Sequence, residues 1–195
     1  IGEIGSRKVV TLAIGSDVHV LDASTGALVW KASWQPIKGA GGHVRGGVIF
    51  AKDKIIVPVS SSGSTSGSKP DFECCTGHGT VVALSAADGK HVWEYHTKPD
   101  AQYNGQISSL GVKQKGPSGA AIWSVPVFDA KRNRVIVTTG ESTSHPGTDT
   151  SNAIISIDAD TGKVAWQFQG MAGDVWNLAC DMGSGTNGPN CPALF

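Results

Sequence analysis

One nine-residue phrase returns three times along the chain. It reads Asp22-Ala-Ser-Thr-Gly-Ala-Leu-Val-Trp30, then Ser85-Ala-Ala-Asp-Gly-Lys-His-Val-Trp93, then Asp158-Ala-Asp-Thr-Gly-Lys-Val-Ala-Trp166. A four-residue β run precedes each copy, at Val18–Leu21, Val81–Leu84 and Ile154–Ile157. Gly26, Gly89 and Gly162 fall where a tight hairpin needs a positive φ, which glycine adopts without steric penalty. Further β runs lie upstream at Val9–Ala13, Ile55–Val59 and Val135–Thr139. Two repeats show one run more, Val48–Ala51 and Ser124–Asp129, joined onward by short turns. Each repeat therefore reads as four antiparallel strands, the content of a propeller blade. The class is all-β, and the unit is a β-propeller of four-stranded antiparallel blades. The repeats span approximately 1–33, 45–97 and 123–169, and another blade starts from 174. A sandwich would not repeat Gly-x-x-x-Trp at a fixed register.

Three repeats do not close a ring, and an open propeller leaves strand edges exposed. The chain is therefore expected to be one arc of a larger ring, with the remaining blades outside this segment. From Trp30 to Trp93 is 63 residues and from Trp93 to Trp166 is 73. Both exceed the roughly 40–50 residues of a bare blade, so the excess belongs to loops. Naming the strands A to D, the long segments are B–C (Ser60–Gly79, Glu141–Ser151) and D–A (Ser33–Gly47, Thr97–Trp123, Gly170–Trp176). In an up-and-down blade these connections all emerge on one rim, and a rigid scaffold with long loops on one rim is where a site is expected. The run Ser60–Ser68 reads as a mobile low-complexity loop.

Composition removes several function classes. Sixteen Lys and Arg balance sixteen Asp and Glu, which lacks the basic footprint of a nucleic-acid or anionic-membrane partner. No stretch approaches the ~20 apolar residues of a membrane helix. With 39% hydrophobic and 16% charged residues, the chain is too apolar for charge-driven disorder. Four cysteines, Cys74, Cys75, Cys180 and Cys191, allow three pairings and match no zinc spacing. Their even number points to disulfides and an oxidising compartment. No Cys-x-x-Cys-His haem motif occurs. His78 reads as structural, and His19, His91, His96 and His145 as surface residues.

The residues that carry chemistry lie in four further motifs: Phe72-Glu-Cys-Cys-Thr-Gly-His-Gly-Thr-Val-Val-Ala-Leu84, Gly116-Pro-Ser-Gly-Ala-Ala-Ile-Trp-Ser-Val-Pro-Val-Phe-Asp129, Thr139-Gly-Glu141 and Gly173-Asp-Val-Trp-Asn-Leu-Ala-Cys180. Together with the repeat they resemble the pyrroloquinoline quinone (PQQ) propeller dehydrogenases, in particular the polyvinyl-alcohol-dehydrogenase-like branch. The resemblance implies an eight-bladed propeller that binds PQQ and Ca²⁺. It would oxidise an alcohol or polyol and pass electrons to a cytochrome c-type acceptor or a quinone, in the periplasm or outside the cell. It also implies site residues. Trp123 would be the floor under the quinone, for which an indole offers the largest apolar π face. Cys74 and Cys75 would form a vicinal disulfide at the cofactor, leaving Cys180 to pair with Cys191. Apart from the resemblance, Arg45 and His43 precede an A strand on the loop-rich rim, where they could pair with the acidic carboxylates of such a quinone. Glu141 and Glu73 would supply carboxylate oxygens to calcium. The family places an Asp where this chain has Asn177, whose amide oxygen can still ligate metal but cannot act as a base. Asp174 is then the candidate catalytic base. The alternative reading is a non-catalytic propeller of the same repeat, used for binding or as an outer-membrane assembly scaffold.

Overall fold

The fold is that of a computed structural model, which describes residues 1–37, 42–183 and 185–194. Three four-stranded antiparallel sheets follow one another in chain order. The first is β1 (Gly2–Ile4), β2 (Arg7–Ile14), β3 (Asp17–Asp22) and β4 (Leu28–Ser33). The second is β5 (Ile49–Ala51), β6 (Lys54–Val59), β7 (Thr80–Ser85) and β8 (His91–His96). The connection that follows carries a hairpin, β9 (Gln102–Ile107) with β10 (Lys113–Gly116), and the short β11 (Ser118–Gly119). The third sheet is β12 (Val127–Asp129), β13 (Arg134–Thr138), β15 (Ala153–Asp158) and β16 (Val164–Gln169). Within its B–C connection, β14 (Ser142–Ser144) pairs with β11.

Strand alternation builds the core. In the second sheet, Ile55, Val57, Val59, Val82 and Leu84 face the first sheet and join Val9, Val18 and Val20. Their neighbours Ile56, Val81 and Ala83 face the third sheet and join Val135, Val137, Ile155 and Ile157. Successive side chains point to opposite faces of a strand, so a sheet covered on both sides reads as a continuous apolar run. That is why all six residues of β6 are buried. The third sheet is covered on one side alone among the described residues, and its other face leaves Val164, Trp166 and Phe168 42%, 50% and 64% exposed.

The repeated tryptophan locks one sheet to the next. Trp30 Nε1 donates to the Ala86 carbonyl at 3.0 Å, and Trp93 Nε1 donates to the Ala159 carbonyl at 3.0 Å. Ala86 and Ala159 hold the same place in successive copies of the repeat. The turn glycine beside each alanine has two duties. Gly89 and Gly162 adopt φ of +73° and +71°, and a Cβ on either would lie 2.9 Å from the indole of Trp30 or Trp93. Trp166 lies on the uncovered face and has no such partner among the described residues.

Several boundaries differ from the sequence expectation. The first sheet gains β1, a strand of three residues too short to show alternation. Strand A of the third sheet begins at Val127 rather than Ser124, because Pro126 lacks the N–H a ladder needs. Thr97–Trp123, expected as loop, contains β9, β10 and β11, whose polar residues carry little periodic signal. Within Ser60–Ser68, a single helical turn forms at α1 (Gly63–Ser66). The four histidines read as surface are half-buried.

Candidate functional site

Five separate connections converge on one cleft of about 280 Å³. Each lies in a B–C or D–A segment, as the strand wiring requires. Arg45 comes from the first D–A connection. Just before it, His43 exchanges two backbone hydrogen bonds with Ser60, at 3.1 and 2.9 Å. The Arg45 guanidinium lies 3.3 Å from His43 Nε2. Ser60, Ser61, Ser64 and Thr65 come from the second sheet's B–C connection and its helical turn. Ala121 and Trp123 lead into β12. Ala120 N donates to the Glu141 carbonyl at 2.7 Å and Gly140 N to the Ala121 carbonyl at 3.0 Å, which ties this segment to the next wall. Glu141 and Thr143 flank Ser142, the first residue of β14. Finally, Trp176 N donates to the Ser142 carbonyl at 2.8 Å, bringing Trp176 and Leu178 over the same opening.

Trp123, Arg45 and Glu141 are thus brought together. Trp123 packs against Gly140 and remains 54% exposed at the opening. An indole held in place with an uncovered surface is a ready platform for a flat ligand. Arg45 supplies a cation, Glu141 a carboxylate, and the serines and threonines a set of hydroxyls.

The other predicted residues stand elsewhere. Glu73 is half-exposed and ion-paired with Lys115 at 2.5 Å, and the Lys115 hydrogen bond holds its carboxyl below the usual carboxylate range. The Asp174 carboxylate accepts a hydrogen bond from Asn152 Nδ2 at 2.8 Å, and its backbone carbonyl accepts from Ser142 N at 3.3 Å. Neither carboxylate lines the cleft. Cys74 and Cys75 form a disulfide, as do Cys180 and Cys191. The first pair is buried, with Cys75 N donating to the Lys115 carbonyl at 2.9 Å.

Asn177 lies between two cleft residues, Trp176 and Leu178, yet is itself fully buried. Its Nδ2 donates to the carbonyls of Thr143 and Asn190, both at 2.9 Å, and lies 3.6 Å from each sulfur of Cys74 and Cys75. Its Oδ1 accepts from Ala179 N at 2.8 Å. Gly67 packs against that oxygen so closely that a Cβ there would sit 2.6 Å away. Asn190 extends the hub, donating to the Lys69 carbonyl at 2.7 Å and accepting from Gln114 Nε2 at 3.0 Å. The amide's polar atoms are thereby occupied by the chain itself.

Sequence reasoning missed the hydroxyl wall, Thr143 and Trp176. Thr143 could have been found from strand alternation with Glu141, and Trp176 from its place in the Gly173–Cys180 motif. Nothing in a serine-rich run distinguishes a wall from a loop.

The family model of the PQQ glucose/ethanol/alcohol dehydrogenase β-propeller domain matches residues 47–185. Polyvinylalcohol dehydrogenases from Sphingopyxis sp. (strain 113P3) and from Pseudomonas sp. are 36% and 32% identical over 174 and 172 residues. Each alignment takes in 88% of this chain and 26% of the relative. The chain therefore spans about a quarter of the length of these curated relatives. Among solved structures, the quinohemoprotein alcohol dehydrogenase ADHIIG from Pseudomonas putida aligns with a TM-score of 0.63 at 20% identity, covering 87% of this chain and 26% of that one. The quinohemoprotein alcohol dehydrogenase from Comamonas testosteroni aligns at 0.57 and 24%, covering 83% and 26%. Those likenesses establish the propeller fold, and the match over 47–185 establishes the lineage: this chain belongs to the family of PQQ-dependent alcohol dehydrogenase β-propeller domains.

Proposed function

We propose that this chain is one arc of a quinoprotein that oxidises an alcohol or polyol, and that the cleft between Arg45, Trp123, Glu141 and Trp176 is its share of the PQQ site. The observation that carries this is the convergence of an exposed indole, a guanidinium and a carboxylate from three separate connections onto one opening. The donor set fits a flat, anionic quinone. Trp123 would lie against its ring, Arg45 would pair with an acidic group, and the hydroxyls of Ser60–Thr65 would bond its polar edge. Bound there, the quinone supplies the two-electron acceptor for alcohol oxidation. Within this chain the carboxylate placed to take the hydroxyl proton is Glu141, because a general base must stand within hydrogen-bond reach of the proton it abstracts. Asp174 holds the wall that carries Trp176.

The chain by itself does not fit calcium. That ion takes roughly six to eight oxygens, whereas Glu141 is the one carboxylate lining the cleft, and the described residues contain no cluster of three or more metal-binding acids, cysteines or histidines. We assign no step to it. The two disulfides favour a periplasmic or extracellular setting, and among the described residues no helix is long and apolar enough to cross a membrane. A cytochrome c-type protein or a quinone as electron acceptor, and further blades against the Trp166 face, complete the proposal.

The test is a titration of the full-length protein with PQQ, followed by quenching of tryptophan fluorescence and by dye-linked alcohol oxidation. Trp123→Ala is expected to weaken binding about thirtyfold, the equivalent of about 2 kcal/mol for a lost aromatic platform. Unchanged affinity in that variant would remove the cleft from the quinone site. Glu141→Gln should keep quinone binding and lose turnover, whereas Asp174→Ala should keep most of both. Glu73→Gln is expected to leave quinone affinity unchanged. A calcium requirement that rises in that variant would instead give Glu73 a ligand's role.

A further inference from the structure

Behind the wall that carries Glu141 lies a second recess, of about 220 Å³, lined by His78, His96, Lys98, Pro99 and Asp100. Lys98, on the lining of this recess, reaches Ser142 of β14. Glu141 and Thr143 turn toward the cleft, and Ser142 between them turns the other way, as alternate residues of an extended strand must. Ser142 is fully buried. Its hydroxyl accepts a hydrogen bond from Lys98 Nζ at 3.0 Å.

Lys98 is itself 3% exposed and meets Ser142 and Thr148 through hydroxyls alone, without an ion pair among the described residues. Thr148 bonds Thr150 at 2.8 Å, and Thr150 returns to the Thr97 carbonyl at 2.7 Å. One ammonium thus joins the D–A connection of the second blade to the B–C connection of the third. Ser142 also accepts the Trp176 amide and donates its own to Asp174. Three of the five segments that shape the cleft meet at this residue.

We propose that Lys98 is a positioning residue for the quinone cleft, holding the Glu141–Thr143 strand from behind through Ser142 so that Glu141, Thr143 and Trp176 present a fixed wall. The proposal rests on the cleft's assignment as the quinone site only for its effect on binding; its effect on the wall is independent of any ligand. Removing the ammonium leaves a buried serine hydroxyl and a threonine hydroxyl without their donor, and the strand is then free to shift.

Charge gives a distinguishing signature. Burial pushes Lys98 down to about 8, with Asp149 acting in the opposite direction. His78, which burial lowers to about 4, His96 and Asp100 are the other titratable groups facing the recess. Below pH 8 the ammonium adds a positive field behind a site for an anionic ligand, and above it that field fades.

The test uses the full-length protein. Lys98→Met keeps the aliphatic stem and should weaken PQQ binding about tenfold, the lower end for loss of an outer supporting partner. Ser142→Ala should do the same, and the double variant should add little, because both remove one interaction. In the wild type PQQ affinity should fall as pH rises from 7 to 9; in Lys98→Met the profile should be flat, and Lys98→Arg should retain affinity at pH 9. Without quinone, hydrogen exchange at the Trp176 amide should quicken about tenfold in Lys98→Met. Additive losses, or a Lys98→Met variant with wild-type affinity and pH profile, overturn the proposal. Should the wild type bind no PQQ, the functional reading fails, and the exchange rate alone decides: unchanged protection at Trp176 overturns the role of Lys98.

Discussion

Asn177→Ala is expected to lower the unfolding free energy by about 3–5 kcal/mol, in the presence or absence of calcium. The amide satisfies the carbonyls of Thr143 and Asn190 and the N–H of Ala179 in a site sealed from water. Each buried group left without a partner costs roughly 1–3 kcal/mol. The loss should appear as a shifted midpoint in denaturant unfolding with an unchanged m-value. Asn177→Asp separates this from a metal-binding role. A carboxylate has no donor for two facing carbonyl oxygens, so the variant should be destabilised at neutral pH and partly recover on acidification, when the protonated acid can donate. A calcium ligand would respond in the opposite sense, since an added negative charge strengthens a calcium site. Stabilisation of Asn177→Asp by calcium would therefore restore the ligand role. The hub also lies beside both sulfurs of Cys74–Cys75 and holds the Cys191 neighbour Asn190, so resistance of the disulfides to reductant should fall with it.

Trp93→Ala should cost a comparable amount, about 3–5 kcal/mol, as large-to-small changes at packed aromatic positions do. Trp93 packs on Gly162 and donates to the Ala159 carbonyl, so truncation opens a cavity between the second and third sheets and orphans that acceptor. Trp93→Phe keeps most of the ring but loses the N–H, and should cost about 1 kcal/mol, near the net worth of one hydrogen bond. Gly162→Ala is predicted to fail for a combined reason: positive φ and an added methyl 2.9 Å from the Trp93 indole. If Trp93→Ala unfolds with the wild-type midpoint, the tryptophan does not carry the inter-sheet contact.

Much of the frame was legible from residues alone. The turn glycines and the tryptophans recur because each sheet meets the next by the same contact, and a repeated contact leaves a repeated phrase. The apolar run Ile55–Val59 was legible as a strand, and its burial on both faces came with the sheets on either side. Trp123, Arg45 and Glu141 were selected by motif and rim position, and the cleft contains all three. Glu73 and Asp174 were selected in the same way and lie outside its lining. The motif places a residue on the rim but does not say whether a nearby lysine or asparagine will engage its carboxylate first. Asn177 illustrates the same limit: as text it is a polar residue beside an aromatic, and its burial depends on Thr143, Asn190 and Gly67, which stand 34, 13 and 110 residues away.

The amino-acid sequence alone thus determined the repeating unit, its strand order and the rim on which function would gather, because hairpin geometry and strand alternation are local and every copy obeys them. The tertiary structure decided which rim residues share an opening, which side of β14 each side chain takes, and which polar groups are occupied by the chain itself. Those outcomes depend on partners far apart in the chain, and a buried hydrogen bond or a burial-shifted ammonium comes into being only when the folded sheets bring its partners together and exclude water.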